Sequence, residues 1–347
     1  MSENITDFDA KSLLSWFSKY ARPLPWREHY KAYDVVLSEF MLQQTQVITA
    51  LPYFNRWIKR WPNWEALAAA KEDEILKMWE GLGYYQRARR LHSLAQYLIE
   101  NKINELPKDP VELIAYPGLG PYTSAAVASI AFNQVALPID GNVRRVLSRY
   151  FRRDDQSPSK EQDIFFETQL IPIMKRVKKR RDLAQALMEL GATHCSPRKP
   201  DCENCPIQKT CAMEGPKEAL EFPKKKARKK PEPLFVSYVW LEKNNSYLLK
   251  QRSPKGRFPH QWEPLSTETS KLDDGYSELL KLTNKKKLDQ LTTFRRDFTR
   301  FKVTWCPYKT TFQEEGLLDG FKFFAKEEVL NMNLVPVILK QFKECFC

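Results

Sequence analysis

Four cysteines, Cys195, Cys202, Cys205 and Cys211, fall within seventeen residues, separated by six, two and five positions. Such density is hard to explain as core packing. Four thiolates can ligate a zinc ion or an iron–sulfur cluster. Zinc sites usually pair their ligands as two C-x₂-C knuckles, and only Cys202 and Cys205 form such a pair, which places a cluster ahead of zinc. Cys306, Cys345 and Cys347 follow no pattern and are assigned to core or surface. Two carboxylates also stand out. Glu39 lies in a helical stretch with Val35, Val36 and Leu42 three or four residues away, so it is either a buried, partnered carboxyl or a surface residue at the margin of an apolar stripe. In a closed pocket, burial would raise its pKa and keep a proton available near neutrality. Asp140, in Ile139-Asp140-Gly141-Asn142, stands where a helix begins and can cap it. A cap points its carboxylate outward from the helix start, so capping and chemistry can coexist.

The elements that position these groups centre on Val111–Tyr150. Two helical patterns are pinched around Pro117-Gly118-Leu119-Gly120-Pro121, with Asp109 and Pro110 as N-cap and first-turn proline of the first. Gly118 and Gly120 leave backbone N–H groups unshielded, and Pro121 suits the first turn of the second helix. A turn of this kind can present amides and a helix N-terminus to a phosphate, or can be an ordinary helical hairpin.

Earlier in the chain, helical patterns are expected over Asp9–Tyr20, over Tyr33–Trp61 with an interruption at Pro52, and over Trp64–Ala70, Glu72–Trp79, Ala88–Glu100 and Val111–Tyr116. Strand alternation is absent through about residue 220, which describes an all-α unit. Residues 221–233, EFPKKKARKKPEP, read as a basic, proline-ended linker. Beyond it, Leu234–Leu241 and Ser246–Gln251 read as strands around the turn Lys243-Asn244-Asn245. Val303–Phe312 is a further strand and Glu327–Phe342 a closing helix. The second domain is therefore expected to be α/β or α+β.

The chain has 347 residues and a formal net charge of +13, enough length for two domains and a balance that suits a polyanionic partner. No stretch approaches the ~18 consecutive apolar residues of a membrane span. The N-terminal MSENITDFDAKSLLSWF has acidic residues and no basic region before its apolar ones, so it is not expected to be a secretory signal. The seven cysteines are then expected in a reducing compartment, the cytoplasm (nucleoid-associated if the source is bacterial), where metal or cluster ligation is favoured over disulfides.

The cysteine spacing, placed behind PGLGPYTSAAV and PIDGNVRRV, resembles the helix-hairpin-helix base-excision DNA glycosylases that carry a [4Fe–4S] cluster, over most of residues 9–213. Bifunctional relatives of the endonuclease III type have a lysine in the second hairpin helix that attacks the sugar as a Schiff base. The matching residue here is Tyr122, which cannot form an imine. Tyrosine there, together with Leu37-Ser38-Glu39-Phe40-Met41-Leu42-Gln43-Gln44-Thr45-Gln46-Val47, is similar to adenine DNA glycosylases of the MutY type.

The resemblance implies a multidomain chain. Residues 1–220 would form an all-α helix-hairpin-helix catalytic domain, with a barrel-like part at 27–136 and a cluster-containing part at 1–26 and 137–220. A Nudix-like α/β (α+β) lesion-recognition domain would follow at 234–347. It implies a [4Fe–4S] cluster on Cys195, Cys202, Cys205 and Cys211, with Glu39, Asp140 and Tyr122 as catalytic residues. Gly118, Gly120 and Asn142 would contact DNA, Gln44 and Tyr84 would wedge into the base stack, and Trp26, Arg27 and Gln185 would lie near the extruded base. Phe298 and Thr299 match the oxoguanine-reading loop, although Arg300 follows where the family commonly has histidine. The Nudix box is missing from residues 263–290, so pyrophosphate hydrolysis is not expected. Arg144, Arg145 and the run Lys175–Arg181 are either further phosphate contacts or solvated helix face.

The expected activity is removal of adenine mispaired with 8-oxoguanine or guanine in double-stranded DNA, by a monomer without lyase chemistry or membrane association. The alternatives are an endonuclease III-like glycosylase and abasic-site lyase acting on oxidised pyrimidines, and a non-catalytic iron–sulfur DNA-binding module.

Overall fold

A computed structural model describes residues 8–153, 155, 158–224, 230–253, 258, 261–297, 300–312 and 319–347. The chain divides into two compact units, Met1–Lys226 and Ala227–Cys347.

The first unit is all helical among the described residues. Its helices are α1 (Ala10–Tyr20), α2 (Ala32–Leu42), α3 (Val47–Arg60), α4 (Trp64–Ala68), α5 (Glu72–Met78), α6 (Gln86–Glu100), α7 (Pro110–Leu113), α8 (Pro121–Ile130), α9 (Gly141–Tyr150), α10 (Lys160–Arg176), α11 (Arg180–Thr193) and α12 (Pro216–Ala219). The pattern read as one helix from Tyr33 to Trp61 is two helices, and the break is not at Pro52. It falls at Gln43–Gln46, where Gln44 takes a left-handed φ of +58° and Gln46 is extended. Pro52 sits inside α3 and forfeits one backbone hydrogen bond without ending the helix.

Two cores build this unit. One gathers residues between Leu24 and Ala136, with α2 at its centre: Tyr33 and every residue from Val35 to Met41 is buried. A helix covered on all sides carries little amphipathic signature. The other core joins Phe8–Phe17 to residues from Leu137 to Ile207. Asp9 fixes the start of α1 by accepting the Ser12 N–H at 2.9 Å. No helix among the described residues is long and apolar enough to cross a membrane.

The second unit holds an eight-stranded sheet among its described residues. Its strands are β1 (Glu232–Lys243), β2 (Ser246–Gln251), β3 (Trp262–Glu263), β4 (Leu265–Thr269), β5 (Asp289–Gln290), β6 (Phe294–Asp297), β7 (Phe301–Thr311) and β8 (Phe321–Ala325). Strands β1 and β7 run parallel at the centre, and the other pairings are antiparallel. Asn244 and Asn245, at φ +51° and +58°, close the β1–β2 hairpin in the two-residue turn that the right-handed strand twist favours. Along β1, Val236, Tyr238 and Trp240 enter one core while Val239 and Leu241 enter another. The sheet is thus buried on both faces, which explains the continuous apolar run in its central strand.

Three helices complete the unit: α13 (Leu272–Thr283), α14 (Lys326–Asn331) and α15 (Pro336–Phe346). The closing helix expected over Glu327–Phe342 is therefore split into α14 and α15. The residue before a proline avoids the helical region, and Val335 before Pro336 is non-helical accordingly, with ψ at 120°.

Candidate active site

The hairpin is formed by α7 and α8. Asp109 caps α7 by accepting the Val111 N–H at 2.7 Å, and Pro110 takes the first turn. Gly118 turns the chain at φ +79°, and a Cβ there would lie 3.0 Å from the Arg90 Cβ and 3.2 Å from the Phe40 ring. Both the conformation and the space therefore call for glycine. Gly120 has no left-handed requirement; its Cβ position is open space, so the amides at the start of α8 stay uncovered.

One residue into α8, the Tyr122 hydroxyl donates to Glu39 Oε2 at 2.8 Å. Glu39 projects from the buried helix α2 and is only 4% exposed. Burial pushes its carboxyl from 4.5 up to about 7, Tyr122 and Arg27 draw it down, and the charge of Asp140 pushes it up. Tyr122 itself is pushed well above the phenol range by burial and by the same two carboxylates. Glu39 is thus a partnered, buried acid and not the marginal surface residue that its neighbours also allowed.

Asp140 caps α9. One carboxylate oxygen accepts the Val143 N–H at 2.7 Å and the other accepts the Asn142 amide at 3.0 Å. The Asn142 carbonyl oxygen in turn accepts from Arg145 at 3.0 Å, so both ends of the Asn142 side chain are held internally. Gly191 lets α11 press against this corner: a Cβ there would lie 2.8 Å from the Asn142 Cβ. Trp26, Arg27, Glu39, Tyr122, Asp140 and Gln185 all line one cavity of about 990 Å³, although they come from five separate stretches of sequence.

The floor near Trp26 is built from ion pairs. Arg27 donates to Gln185 Oε1 at 3.0 Å and to Glu189 at 2.8 Å, and Arg22 holds Glu189 through both carboxylate oxygens at 2.5 and 3.0 Å. Burial alone would raise the Glu189 carboxyl, but the hydrogen bonds and charges of Arg22 and Arg27 outweigh it and hold the group below its ordinary value. The Gln185 amide donates to the Tyr30 hydroxyl at 3.2 Å. Arg22, Tyr30 and Glu189 were missed from sequence. Glu189 was within reach, since it lies four residues after Gln185 on the same helix face.

Gln44 lines the cavity from the α2–α3 turn. Tyr84 is 63% exposed, on the loop between α5 and α6, and has a left-handed φ of +49°. Phe298 and Thr299 lie outside the described residues. Arg144 and Arg145 are half-buried and engaged within the protein, so they do not form a freely solvated helix face. Arg144 forms a two-point pair with Asp163 at 2.9 and 2.6 Å, and Arg145 binds the Cys195 and Gly191 carbonyls at 2.9 and 2.7 Å. Within the run Lys175–Arg181, Arg180 and Arg181 likewise donate to backbone carbonyls, among them those of Met174 and Ala131.

The four cysteines of the loop are partly buried and free of disulfides. Burial raises the Cys205 thiol to about 12 and the Cys211 thiol to about 11, and the four sulfurs lie within electrostatic reach of one another. The buried Arg149 guanidinium donates to Cys195 Sγ at 3.3 Å. A cation held on a sulfur suits a thiolate ligand. Among the described residues, no three His, Cys, Asp or Glu side chains converge to hold a single metal ion.

Residues 37–168 match the HhH-GPD superfamily of base excision DNA repair proteins. The adenine DNA glycosylase of Rattus norvegicus is 41% identical over 213 residues, covering 58% of this chain and 40% of that one. The adenine DNA glycosylase of Buchnera aphidicola (subspecies Schizaphis graminum) is 34% identical over 243 residues, covering 67% of this chain and 69% of the relative. The chain belongs to the adenine DNA glycosylase family. It spans about two fifths of the length of the rat family member. A solved thermostable thymine-DNA glycosylase is 28% identical, with a TM-score of 0.54 over 60% of this chain and 95% of its own. In this member of the adenine DNA glycosylase family, the hairpin and α2 bring together residues 83 positions apart, Tyr122 and Glu39.

That contact has a measurable consequence. The Tyr122 hydroxyl favours the ionised form of Glu39, so Tyr122→Phe should move the Glu39 titration to higher pH. A pH titration of the Glu39 carboxyl followed by infrared difference spectroscopy should show its midpoint move upward. An unmoved or lowered midpoint would show that the hydrogen bond does not tune Glu39.

Proposed function

We propose that the chain is a monofunctional DNA glycosylase that excises adenine mispaired with 8-oxoguanine or guanine. The observation that carries this reading is Glu39, a carboxyl buried beneath the Tyr122 hydroxyl, pushed up to about 7 by that burial, and lining the same cavity as Asp140. Paired carboxylates in environments that separate their protonation states are the general means of breaking a glycosidic bond. Adenine leaves poorly as an anion, so a proton must reach a ring nitrogen. Glu39 donates that proton, the bond from the sugar C1′ to the base breaks, and its electron pair stays with adenine. The Asp140 carboxylate faces the positive charge left on the sugar and stabilises it. Water then adds at C1′ while the Glu39 carboxylate takes its proton, which restores the acid. Arg27 and Gln185, locked together, shape the floor for the base.

Extruding the adenine leaves a gap in the stack, and Gln44 and Tyr84 are proposed to fill it. The hairpin amides at Gly118 and Gly120 take a backbone phosphate. Cys195, Cys202, Cys205 and Cys211 would hold a [4Fe–4S] cluster, and Arg149 on Cys195 supplies a countercharge that fits one. Bound there, the cluster would tie the 195–211 loop to α9, whose Arg149 already donates to Cys195 Sγ. The second unit is proposed to read the base opposite adenine in the manner of a Nudix-like lesion-recognition domain, and the mixed sheet between helices is compatible with that task.

Product analysis on adenine:8-oxoguanine, adenine:guanine and thymine-glycol duplexes tests the whole reading. Free adenine should be released from the first two, strands should break only after alkali, and borohydride should trap no protein–DNA adduct. Excision of thymine glycol with a trapped adduct would favour the lyase alternative. Equal rates on the two adenine mispairs would remove the lesion-reading role of the second unit. The same preparation should be brown with broad visible absorption; a colourless, zinc-containing protein would overturn the cluster.

A further inference from the structure

Gln44 and Tyr84 sit on different loops, forty residues apart, and both adopt left-handed backbone. Neither loop holds that conformation by glycine at the residue concerned, so something must fix it. The described contacts converge on Arg87, in the first turn of α6, which is 6% exposed. Its Nη1 donates to the carbonyls of Phe40, Met41 and Gln43 at 3.0, 2.9 and 2.5 Å. Carbonyls at the end of α2 lack an intrahelical donor, and this guanidinium supplies one. Its Nη2 donates to the carbonyls of Leu82 and Gly83 at 2.9 and 3.0 Å, at the foot of the Tyr84 loop. Both amines share Thr45 Oγ1 at 3.3 Å. The guanidinium carbon lies 5.3 Å from the Trp79 ring centroid and 5.7 Å from that of Tyr84. Arg87 does not itself line the cavity.

We infer that Arg87 is a positioning residue for base extrusion, holding the Gln44 turn and the Tyr84 loop as one unit so that both side chains enter the duplex together. The inference rests on the reading of those two residues as stack wedges. A planar fork with several fixed donors can span both loops at once, whereas a lysine ammonium reaches only one of them.

The test uses the full chain and a duplex carrying 2-aminopurine beside the target adenine, whose fluorescence rises as the stack opens. Arg87→Lys should lower both the unstacking signal and single-turnover adenine release on the paired substrate, the latter by about 10- to 100-fold. On an adenine already extruded in an unpaired bulge, the loss should shrink to about twofold. Thr45→Val removes the shared acceptor and should move both readings in the same direction by a smaller factor; it decides the matter should Arg87→Lys not fold. Gln44→Ala and Tyr84→Ala are the references. If they depress unstacking while Arg87→Lys or, failing that, Thr45→Val does not, the coupling is wrong and the wedge reading stands. If neither reference depresses it, the wedge reading falls and the inference falls with it. Equal losses on paired and bulged substrates would make Arg87 merely structural and overturn the inference.

Discussion

Glu39→Gln should lower single-turnover adenine release by about 10³-fold while leaving DNA affinity near that of the wild type, because general acid catalysis typically contributes 10²–10⁴. Glutamine keeps the shape of the side chain and an oxygen that accepts the Tyr122 hydrogen bond, now 2.8 Å long. It can donate a hydrogen bond to adenine but cannot release a proton. The same substitution should stabilise the fold at high pH. Burial raises the Glu39 carboxyl from 4.5 to about 7, so ionising it inside the protein is unfavourable. At 1.36 kcal/mol per pH unit, this destabilises the wild type by about 3 kcal/mol once the group is fully ionised. Below pH 4.5 the carboxyl is protonated in the folded and the unfolded chain, and the difference vanishes; it grows as pH rises and is complete above about 7. Thermal melts of the two proteins should therefore coincide in acid and separate in mild alkali, with the variant more stable. An inactive variant no more stable at high pH than the wild type would mean that Glu39 is not the buried acid described here.

Asp140→Asn should lower adenine release by about 10³-fold as well, by a different route, since it removes the anion facing the sugar cation. Asparagine can still cap α9 through its carbonyl oxygen, accepting the Val143 N–H that Asp140 accepts at 2.7 Å, so the helix should stay in place. It loses the second acceptor, to which the Asn142 amide donates at 3.0 Å. DNA binding should be unchanged or tighter, because one negative charge near the backbone is gone. The charge of Asp140 also pushes the Glu39 carboxyl upward, so the variant should show a Glu39 titration displaced to lower pH. A variant that releases adenine at near wild-type single-turnover rates would exclude Asp140 from the chemistry.

Local features were legible in the sequence. Asp109-Pro110, Gly118, Pro121 and Asp140 announce their caps and turns through their own chemistry, and each occupies the position its residue type demands. Helix starts read well because a cap acts over three residues. Breaks read less well: Pro52 drew attention from Gln44, whose left-handed turn is bound at the Gln43 carbonyl by Arg87, a residue forty-three positions from Gln44. Asn245 and Asn284 take left-handed backbone by their own nature, but Gln44 and Tyr84 do so only because their surroundings hold them. The burial of Glu39 was ambiguous for a similar reason. A helix covered on every side has no polar face against which an acid can be judged, and the partner that identifies Glu39 is Tyr122, in another helix. The internal partners of Arg144 and Arg145, Asp163 and the Cys195 carbonyl, were not legible because sequence gives a basic residue's charge and not its direction. Glu189 needed only one further turn of α11.

That Glu39 supplies the proton is tested most directly by the pH dependence of single-turnover adenine release from an adenine:8-oxoguanine duplex, followed from about pH 6 to about pH 9. The rate should fall about tenfold per pH unit above a midpoint near that of the buried carboxyl, about 7. A rate that stays level across that range, with the protein folded and saturated with DNA, would contradict the assignment of Glu39 as the acid.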